Sequence, residues 1–417
     1  MSAIRQMAQN TFEAYHEFLK CGSTKLKNQI LKTIAQKIDE NREFLAAENK
    51  KDLAAGEKAG LTKAFLDRLA LNEKRIQGMI DACRDIIMLP DPVGAVFDMV
   101  VRPQGFKVGR MRVPIGVIGI IYEARPNVTI EAATLCLKSG NGVILRGGSN
   151  AFYSNMALVK ILKEALEANQ VNPDLISYVD STDRKAVDEM LVQDEFIHLI
   201  IPRGGESLIR SVVEKSRIPV LKHYKGVCHV YVHEQANPEM AQKIIVNAKV
   251  QRVAVCNSAE TLLVDEKIAG TFLPKVVAEL QQQNVEIRGC EKTRKLCGDS
   301  IQPATEEDWY AEFLDYILAV KVVADIDEAI KHINKYGSAH TDAIVSDNIH
   351  ATNRFMNHVD SASVMVNAST RLSDGGIYGL GAEIGISTDK LHARGPMGLE
   401  GLTTYKWIVL GEGHLRE

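Results

Sequence analysis

The turn that carries Cys256 is the stretch of this sequence best suited to nucleophilic chemistry. In Ile244–Val264, IIVNAKVQRVAVCNSAETLLV, an apolar helical run ends near Lys249. Cys256, Asn257 and Ser258 then precede the strand-like Thr261–Val264. A thiol in a polar turn between two packed elements is reachable by substrate and held by its scaffold. A cysteine among valines is more often a small buried hydrophobe, so the local pattern alone does not select it. The other reactive groups are basic. Tyr122-Glu123-Ala124-Arg125-Pro126-Asn127, Arg146-Gly147-Gly148-Ser149 and Pro202-Arg203-Gly204-Gly205-Glu206-Ser207 each follow a strand-like run. Arg125 can fork onto a phosphate or carboxylate, and Asn127 can donate to an oxyanion. Arg146 suits a phosphate such as the 2′-phosphate of NADP. The glycines allow close backbone approach, and the helix expected after Gly205 would favour an anion at its N-terminus. Three such loops at successive strand ends point to an anionic cofactor. The motifs GxGxxG after a strand, GxxxxGK, HExxH and GxSxG do not occur.

The elements that must hold these groups follow from periodicity. Residues 1–88 read as helical, with Leu26, Ile30, Ile34 and Ile38 on one stripe, Ser23 or Thr24 as its cap, and Ile76 to Ile87 on another. The Leu-Pro-Asp-Pro-Val-Gly run at 89–94 stops that pattern. Phe97–Arg102 and Lys107–Val113 flank a Pro-Gln-Gly turn and read as a two-stranded arm. Val113–Ile121, Val143–Leu145, Ile176–Val179 and Ile197–Ile201 read as strands. Ala132–Lys138, Asn155–Ala168, Asp183–Leu191 and Glu206–Lys215 read as the helices between them. That alternation predicts a parallel, doubly wound α/β domain. The pattern restarts after Leu221, with strands at His229–His233, Thr261–Val264, Ala319–Val323, Ala343–Val345 and Ser363–Val366. Helices are expected at Glu239–Lys249 and Ile268–Gln283, and a polar loop at Cys290–Asp308. A boundary near 225 and a return near 370 divide the chain into 1–225 with 370–417, and 226–369.

Bulk properties narrow the class. The chain has 417 residues, 46% hydrophobic and 25% charged, with a net charge of −3. Two domains are expected at that length. The charge provides no global attraction to nucleic acid or an anionic membrane, so an anionic ligand must be held by local groups. Apolar runs reach about ten residues, short of a membrane span, and the N-terminus lacks the apolar core of a signal peptide. Seven cysteines without paired metal-like spacing suggest free thiols in a reducing cytoplasm and no metal site. Among them Cys228, beside His229, is the one rival to Cys256. Cys83 and Cys136 fall on helices, Cys21 in a turn, and Cys290 and Cys297 in the charged loop.

YEARPNVTIEAATLCLKSGNGVILRGGSNA, LIIPRGGESLI, KGVCHVYV, CNSAETLLV and HARGPMGLEGLTTYKW together resemble the aldehyde dehydrogenase superfamily, and its acyl-phosphate-reducing branch in particular. The resemblance spans essentially the whole chain. It implies a cofactor domain, a catalytic domain and a small β oligomerisation arm at about 97–113 and 403–412. It implies NADPH-dependent reduction of L-glutamyl 5-phosphate to glutamate 5-semialdehyde, with release of phosphate, in proline biosynthesis. Cys256 would be the nucleophile, with Asn127 or Arg125 near the oxyanion. The cofactor would be held by Arg146, Gly147, Gly148, Ser149, Gly204, Gly205 and Glu312. Arg125, His392 and Arg394 are candidates for the substrate's phosphate or carboxylate. Homo-oligomers and handover of the labile acyl phosphate from glutamate 5-kinase also follow from the resemblance. Hydrolytic members carry a general-base glutamate where this chain has Lys222-His223-Tyr224-Lys225-Gly226, which contains no carboxylate. Its absence suits a thioester that receives hydride rather than water. A hydrolytic aldehyde dehydrogenase and a catalytically silent nucleotide-binding scaffold are the competing readings.

Overall fold

The computed structural model describes residues 2–123, 125–298 and 300–416, and for Ala64 the backbone alone. Ala124, within the expected ligand turn, and Asp299, within the expected polar loop, lie outside the described residues. The chain forms two compact units. The first runs to Lys222 and includes Gly379–Gly385 and the chain from Met397; the second comprises His223–Tyr378 and Ile386–Pro396.

The first unit begins with Ala3–Cys21 (α1), Thr24–Glu40 (α2), Arg42–Lys58 (α3), Lys63–Leu69 (α4) and Glu73–Met88 (α5). Side chains of Ser2, Ser23, Thr62 and Asn72 accept backbone N–H bonds at the starts of α1, α2, α4 and α5. The apolar stripes are buried: Ile30, Leu31, Ile34 and Ile38 on α2, and Ile76, Met79, Ile80, Cys83 and Ile86 on α5. Cys21 closes α1 rather than lying in a turn.

Val96–Val101 (β1) and Lys107–Pro114 (β2) form the expected hairpin, and the terminal strand Thr403–Leu410 pairs antiparallel with β2. The single strand expected over Val113–Ile121 is divided. Its first residues end β2, and Val117–Tyr122 (β3) begins a different sheet. The break is at Gly116, whose φ of 136° suits glycine, and a β-carbon there would lie 2.4 Å from His198 Nδ1. With Gly142–Arg146 (β4), Ile176–Tyr178 (β5) and Leu199–Arg203 (β6), β3 forms a parallel sheet ordered β5-β4-β3-β6. The winding direction reverses between β3 and β6, so the turns after these two strands lie at a topological switch point. The helices of this layer are Asn127–Lys138 (α6), Phe152–Ala168 (α7), Arg184–Met190 (α8) and Glu206–Lys215 (α9).

The second unit holds Cys228–Val232 (β7), Ala259–Asp265 (β8), Glu286–Gly289 (β9), Gln302–Pro303 (β10), Ile317–Val323 (β11), Thr341–Val345 (β12) and Ser363–Val366 (β13). Among the described residues these make a seven-stranded parallel sheet ordered β10-β9-β11-β8-β7-β12-β13. Both faces are covered. Leu262, Val264 and Val320 pack with Phe272, Leu273 and Val276 of Glu266–Gln282 (α11), and Ile245 of Pro238–Val250 (α10) joins them. On the other face Tyr231, Leu263 and Ile344 pack with Ile330, Ile333 and Phe355. Two-sided burial explains why these strands read as unbroken apolar runs.

The polar loop expected over Cys290–Asp308 is not irregular. It contains helices Glu291–Cys297 and Glu306–Trp309 with β10 between them. Thr293 and Ile301 are buried, and Cys290 and Cys297 pack against the core. Charged neighbours hid that stripe in the sequence. No helix of the described residues is long and apolar enough to cross a membrane.

The start of α7 is held from α3. Asp52, 3% exposed, accepts from Tyr153 N at 3.1 Å, Ser154 N at 2.8 Å and Ser154 Oγ at 2.6 Å. Burial raises its pKa, while those bonds oppose the shift. Asp52→Ala leaves the buried Ser154 N–H and hydroxyl and the partly buried Tyr153 N–H unpaired and is expected to lower stability by about 2–4 kcal/mol. Asp52→Asn, which keeps one acceptor oxygen, is expected to lose less. Chemical denaturation of both variants checks this.

Candidate active site

Cys256 lies in the turn between α10 and β8, half-buried, with Asn257 and Ser258 buried behind it. Gly226, just before β7, passes directly against the turn. A β-carbon at 226 would sit 1.8 Å from the Cys256 carbonyl oxygen, so only glycine fits. That oxygen is close to Cys228 Sγ, at 3.2 Å. Gly226 N donates to Glu312 Oε1 at 2.8 Å, and Lys225 Nζ donates to Tyr310 O at 2.7 Å. Cys256 thus precedes β8, Gly226 precedes β7 and Glu312 precedes β11. This group gathers at the N-terminal edge of its sheet, opposite to the usual C-terminal placement of ligands in open α/β sheets.

Cys228 is a poor rival nucleophile. It is fully buried at the start of β7, and burial pushes its thiol well above the ordinary value. His340 is buried beside it, with Nδ1 3.9 Å from the sulfur. Burial, and then His223, lower the His340 pKa to about 3, so it stays neutral.

Under the Cys256 turn lies a fully buried ion pair that sequence reading did not find. Lys249 Nζ and Glu260 Oε2 are 2.6 Å apart, both 0% exposed. Lys249 ends α10 and Glu260 opens β8, so the pair closes the base of the loop that carries the thiol. Glu260 Oε1 also accepts from Leu314 N at 3.2 Å, which ties in the segment bearing Glu312. An apolar helix end and a strand start eleven residues apart give no sequence signal of such a pair. Burial raises the Glu260 pKa to about 7, against the opposing effects of Lys249 and Leu314 N. Burial lowers that of Lys249.

In the first unit the expected ligand turns adjoin one another. Asn127 begins α6, and its Nδ2 donates to Glu131 Oε1 at 2.8 Å. Burial raises the Glu131 pKa; Asn127, then Arg203 and Arg125, oppose this. The N-terminus of α9, where an external anion was expected, meets Glu123, whose Oε1 accepts from Gly205 N at 3.1 Å. Gly204 is required by packing, since a β-carbon there would lie 2.7 Å from both the Glu123 carboxylate and Leu208. Gly147 is likewise explained from inside, with Asn155 Nδ2 2.1 Å from the place of its missing β-carbon. Gly148 and Ser149 lead into α7, whose first N–H groups are taken by Asp52.

Arg146, at the end of β4, is the group in these turns that most needs a partner. Its Nε is buried and has no hydrogen-bond partner among the described residues. Its Nη2 reaches Thr182 O only at 3.4 Å. Burial, with Arg184 beside it, lowers the Arg146 pKa, while Tyr178 and Tyr122 oppose the shift. A buried donor without an acceptor, on a cation at a strand's C-terminal end, fits an anionic cofactor. Of the remaining expected groups, His392 is exposed with a left-handed backbone (φ 68°), and Arg394 Nη2 pairs with Asp360 Oδ1 at 2.8 Å.

A thiol-bearing turn on one α/β unit and an anion-seeking strand end on another are the features of a nucleotide-linked aldehyde-oxidising or acyl-reducing enzyme. The aldehyde dehydrogenase family matches residues 2–294, and this chain belongs to it. The chain is 54% identical to the gamma-glutamyl phosphate reductase of Thermodesulfovibrio yellowstonii, over 99% of this chain and 100% of that one. It is 53% identical to that of Carboxydothermus hydrogenoformans over 100% of both. The crystal structure of gamma-glutamyl phosphate reductase from Thermotoga maritima superposes with a TM-score of 0.98 at 49% identity, covering 100% of each chain. Within the family, the chain's place is with the gamma-glutamyl phosphate reductases.

The buried pair makes stability depend on pH and on both partners. A raised carboxyl pKa contributes stability that is complete below its ordinary value of 4.5 and is lost as pH rises through about 7. Glu260→Leu strands Lys249 as an unpaired buried charge and is expected to cost about 3–5 kcal/mol. The double variant with Lys249→Met is expected to cost far less and to lack the wild type's decline across that pH window. Urea midpoints measured over the window check both outcomes.

Proposed function

We infer that this protein reduces L-glutamyl 5-phosphate to L-glutamate 5-semialdehyde with NADPH and releases phosphate, the second step of proline biosynthesis from glutamate. The observation that carries the reading is full-length identity above one-half to gamma-glutamyl phosphate reductases. The form of the Cys256 site supports it. Cys256 attacks the acyl carbonyl, phosphate leaves, and a thioester remains on the sulfur. When bound, NADPH supplies the hydride that reduces this thioester to the aldehyde.

The roles of the chain's own residues follow. At an ordinary pKa of about 8.5 only roughly 3% of a thiol is ionised at pH 7, so placement matters. Gly226 and the Lys249–Glu260 pair provide that placement by fixing the turn. The Cys256 backbone N–H is the donor for the oxyanion that the turn itself offers, and family resemblance assigns Asn127, whose Nδ2 donates to Glu131, to the same role. Such a donor is worth about 2.7–4 kcal/mol. The segment Lys222–Gly226 contains no carboxylate of its own and sets a glycine against the Cys256 backbone, so it supplies no general base to hydrolyse the thioester.

The first unit is the cofactor domain and the second the catalytic domain. Arg146 is the residue for a cofactor phosphate, with Gly147, Gly148 and Ser149 presenting backbone beside it. Gly204 and Gly205 are assigned to the same cofactor, and exposed Glu123 can yield the α9 N-terminus to a phosphate. Glu312 is assigned to the cofactor ribose. Arg125, His392 and Arg394 are assigned to the substrate's carboxylate end, for which Arg394 would exchange Asp360.

The arm supports a homo-oligomer. Tyr405, Trp407 and Val409 are exposed on one face of the terminal strand, and Val96, Val100 and Val101 are exposed on β1. An apolar sheet surface of this kind suits burial against a second copy. Cytoplasmic action, with handover of the labile acyl phosphate from glutamate 5-kinase, fits the free cysteines.

Run in reverse, the enzyme is expected to oxidise glutamate semialdehyde with NADP only when inorganic phosphate is supplied. Cys256→Ala is expected to reduce turnover by about 10⁴-fold or more. Phosphate-independent production of glutamate would establish the hydrolytic alternative, and full turnover by Cys256→Ala would exclude cysteine catalysis.

A further inference from the structure

The segment Ser369–Asp374 is fastened to the Cys256 turn by three hydrogen bonds. Thr370 Oγ1 donates to Asn257 O at 2.7 Å, Asn257 Nδ2 donates to Ser373 O at 2.9 Å, and Arg371 Nε donates to Gln251 Oε1 at 2.9 Å. These bonds hold the turn on both sides of residue 256. They set the short helical turn Thr370–Leu372, and Arg371 with it, against the turn that carries the thiol, within the electrostatic reach of Cys256. Arg371 is half-buried, and Arg252 lies close enough to repel it. Burial, and then Arg252, hold the Arg371 guanidinium below its ordinary value, while charge on Cys256, Asp374 and Cys228 acts in the opposite sense. Arg252 is exposed, next in sequence to the Gln251 that Arg371 bonds, and a half-buried guanidinium beside a second one is repelled by it unless an anion joins them. Asp374 is exposed and already accepts from Gly376 N and Ile377 N.

We propose that Arg371, with Arg252, forms the anion site that holds the phosphate of the acyl-phosphate substrate beside Cys256 and stabilises it as it leaves. This rests on the reductase reading above and adds to it the residues that receive the leaving group. In the step itself the C–S bond forms, and the C–O bond to phosphate breaks with its electron pair passing to the phosphate oxygen. The negative charge that begins on sulfur therefore ends on phosphate. A cation in the field of the sulfur meets that charge at both stages. The substrate's α-carboxylate keeps its charge throughout and lies at the far end of the carbon chain from the attacked carbonyl. Arg is the residue type for this task, because its planar fork matches two phosphate oxygens.

The reverse reaction, with semialdehyde, NADP and inorganic phosphate varied separately, tests the assignment. In Arg371→Gln the KM for phosphate is expected to rise about tenfold or more, the equivalent of one lost charge-assisted hydrogen bond. The KM values for semialdehyde and NADP are expected to stay unchanged. Arg371→Lys and Arg252→Gln, which are less disruptive to the fold, should show smaller rises in the same constant. Without any cofactor, inorganic phosphate should slow iodoacetamide alkylation of Cys256 in the wild type and fail to do so in Arg371→Gln. A raised KM for semialdehyde with that for phosphate unchanged would assign Arg371 to the carboxylate and overturn the proposal. Unchanged constants throughout would overturn it as well. A wild-type enzyme that needs no phosphate would instead remove the reductase reading, a result separable from either of these.

Discussion

The backbone of Gly226 passes so close to the Cys256 carbonyl that no side chain could stand between them, and the thiol-bearing end of the second unit is arranged around that approach. It holds the thiol-bearing turn against the start of β7. The buried Lys249–Glu260 pair then closes the loop from below, and Glu260 and Glu312 accept backbone N–H groups on either side. A buried ion pair is weak evidence of net stability, because desolvation offsets much of the attraction. Its evident contribution here is geometric: it fixes the end of α10 and the start of β8 at one separation. The turn between them has little freedom left, so the sulfur is presented without a neighbouring base in sequence.

The first unit answers a different constraint. A helix N-terminus is the usual seat for a phosphate, yet α7 and α9 each meet a carboxylate of the chain itself, Asp52 and Glu123. Asp52 is buried and permanent in character, whereas Glu123 is exposed and exchangeable. The unpaired Nε of Arg146 then becomes the strongest local demand for an anion. That arrangement accords with the lack of a glycine-rich dinucleotide fingerprint, since one helix end is closed by a buried carboxylate and the unpaired donor beside it belongs to a side chain.

Much of this was legible in the sequence, and the failures have physical causes. Helical stripes, the hairpin and the alternating strands were readable because burial on one face or both imposes periodicity. The strand expected over Val113–Ile121 is divided because apolar residues run on through Gly116, where the chain leaves one sheet and enters another. The region Cys290–Asp308 looked like a loop because its charged residues mask a stripe formed by Cys290, Thr293 and Cys297. Cys256, Asn127 and Arg146 were named from residue type and resemblance. The glycines at 147 and 204 suggest room for a ligand in the sequence, but their immediate neighbours are Asn155 and Glu123. Lys249 and Glu260 are not legible as a pair because nothing in an apolar helix end and strand start signals a shared buried charge, and Arg371 is not legible because it reaches the turn from a segment over a hundred residues away.

The central claim is that Cys256 carries a thioester shielded from water. It is tested most directly by mixing enzyme with glutamate semialdehyde and NADP in the absence of phosphate, then following cofactor reduction and the mass of the Cys256 peptide. The account predicts a burst of one reduced cofactor per active site, then arrest, with the acyl group retained on Cys256 until phosphate is added. Continued turnover without phosphate, or an acyl group found on any other residue, would contradict it.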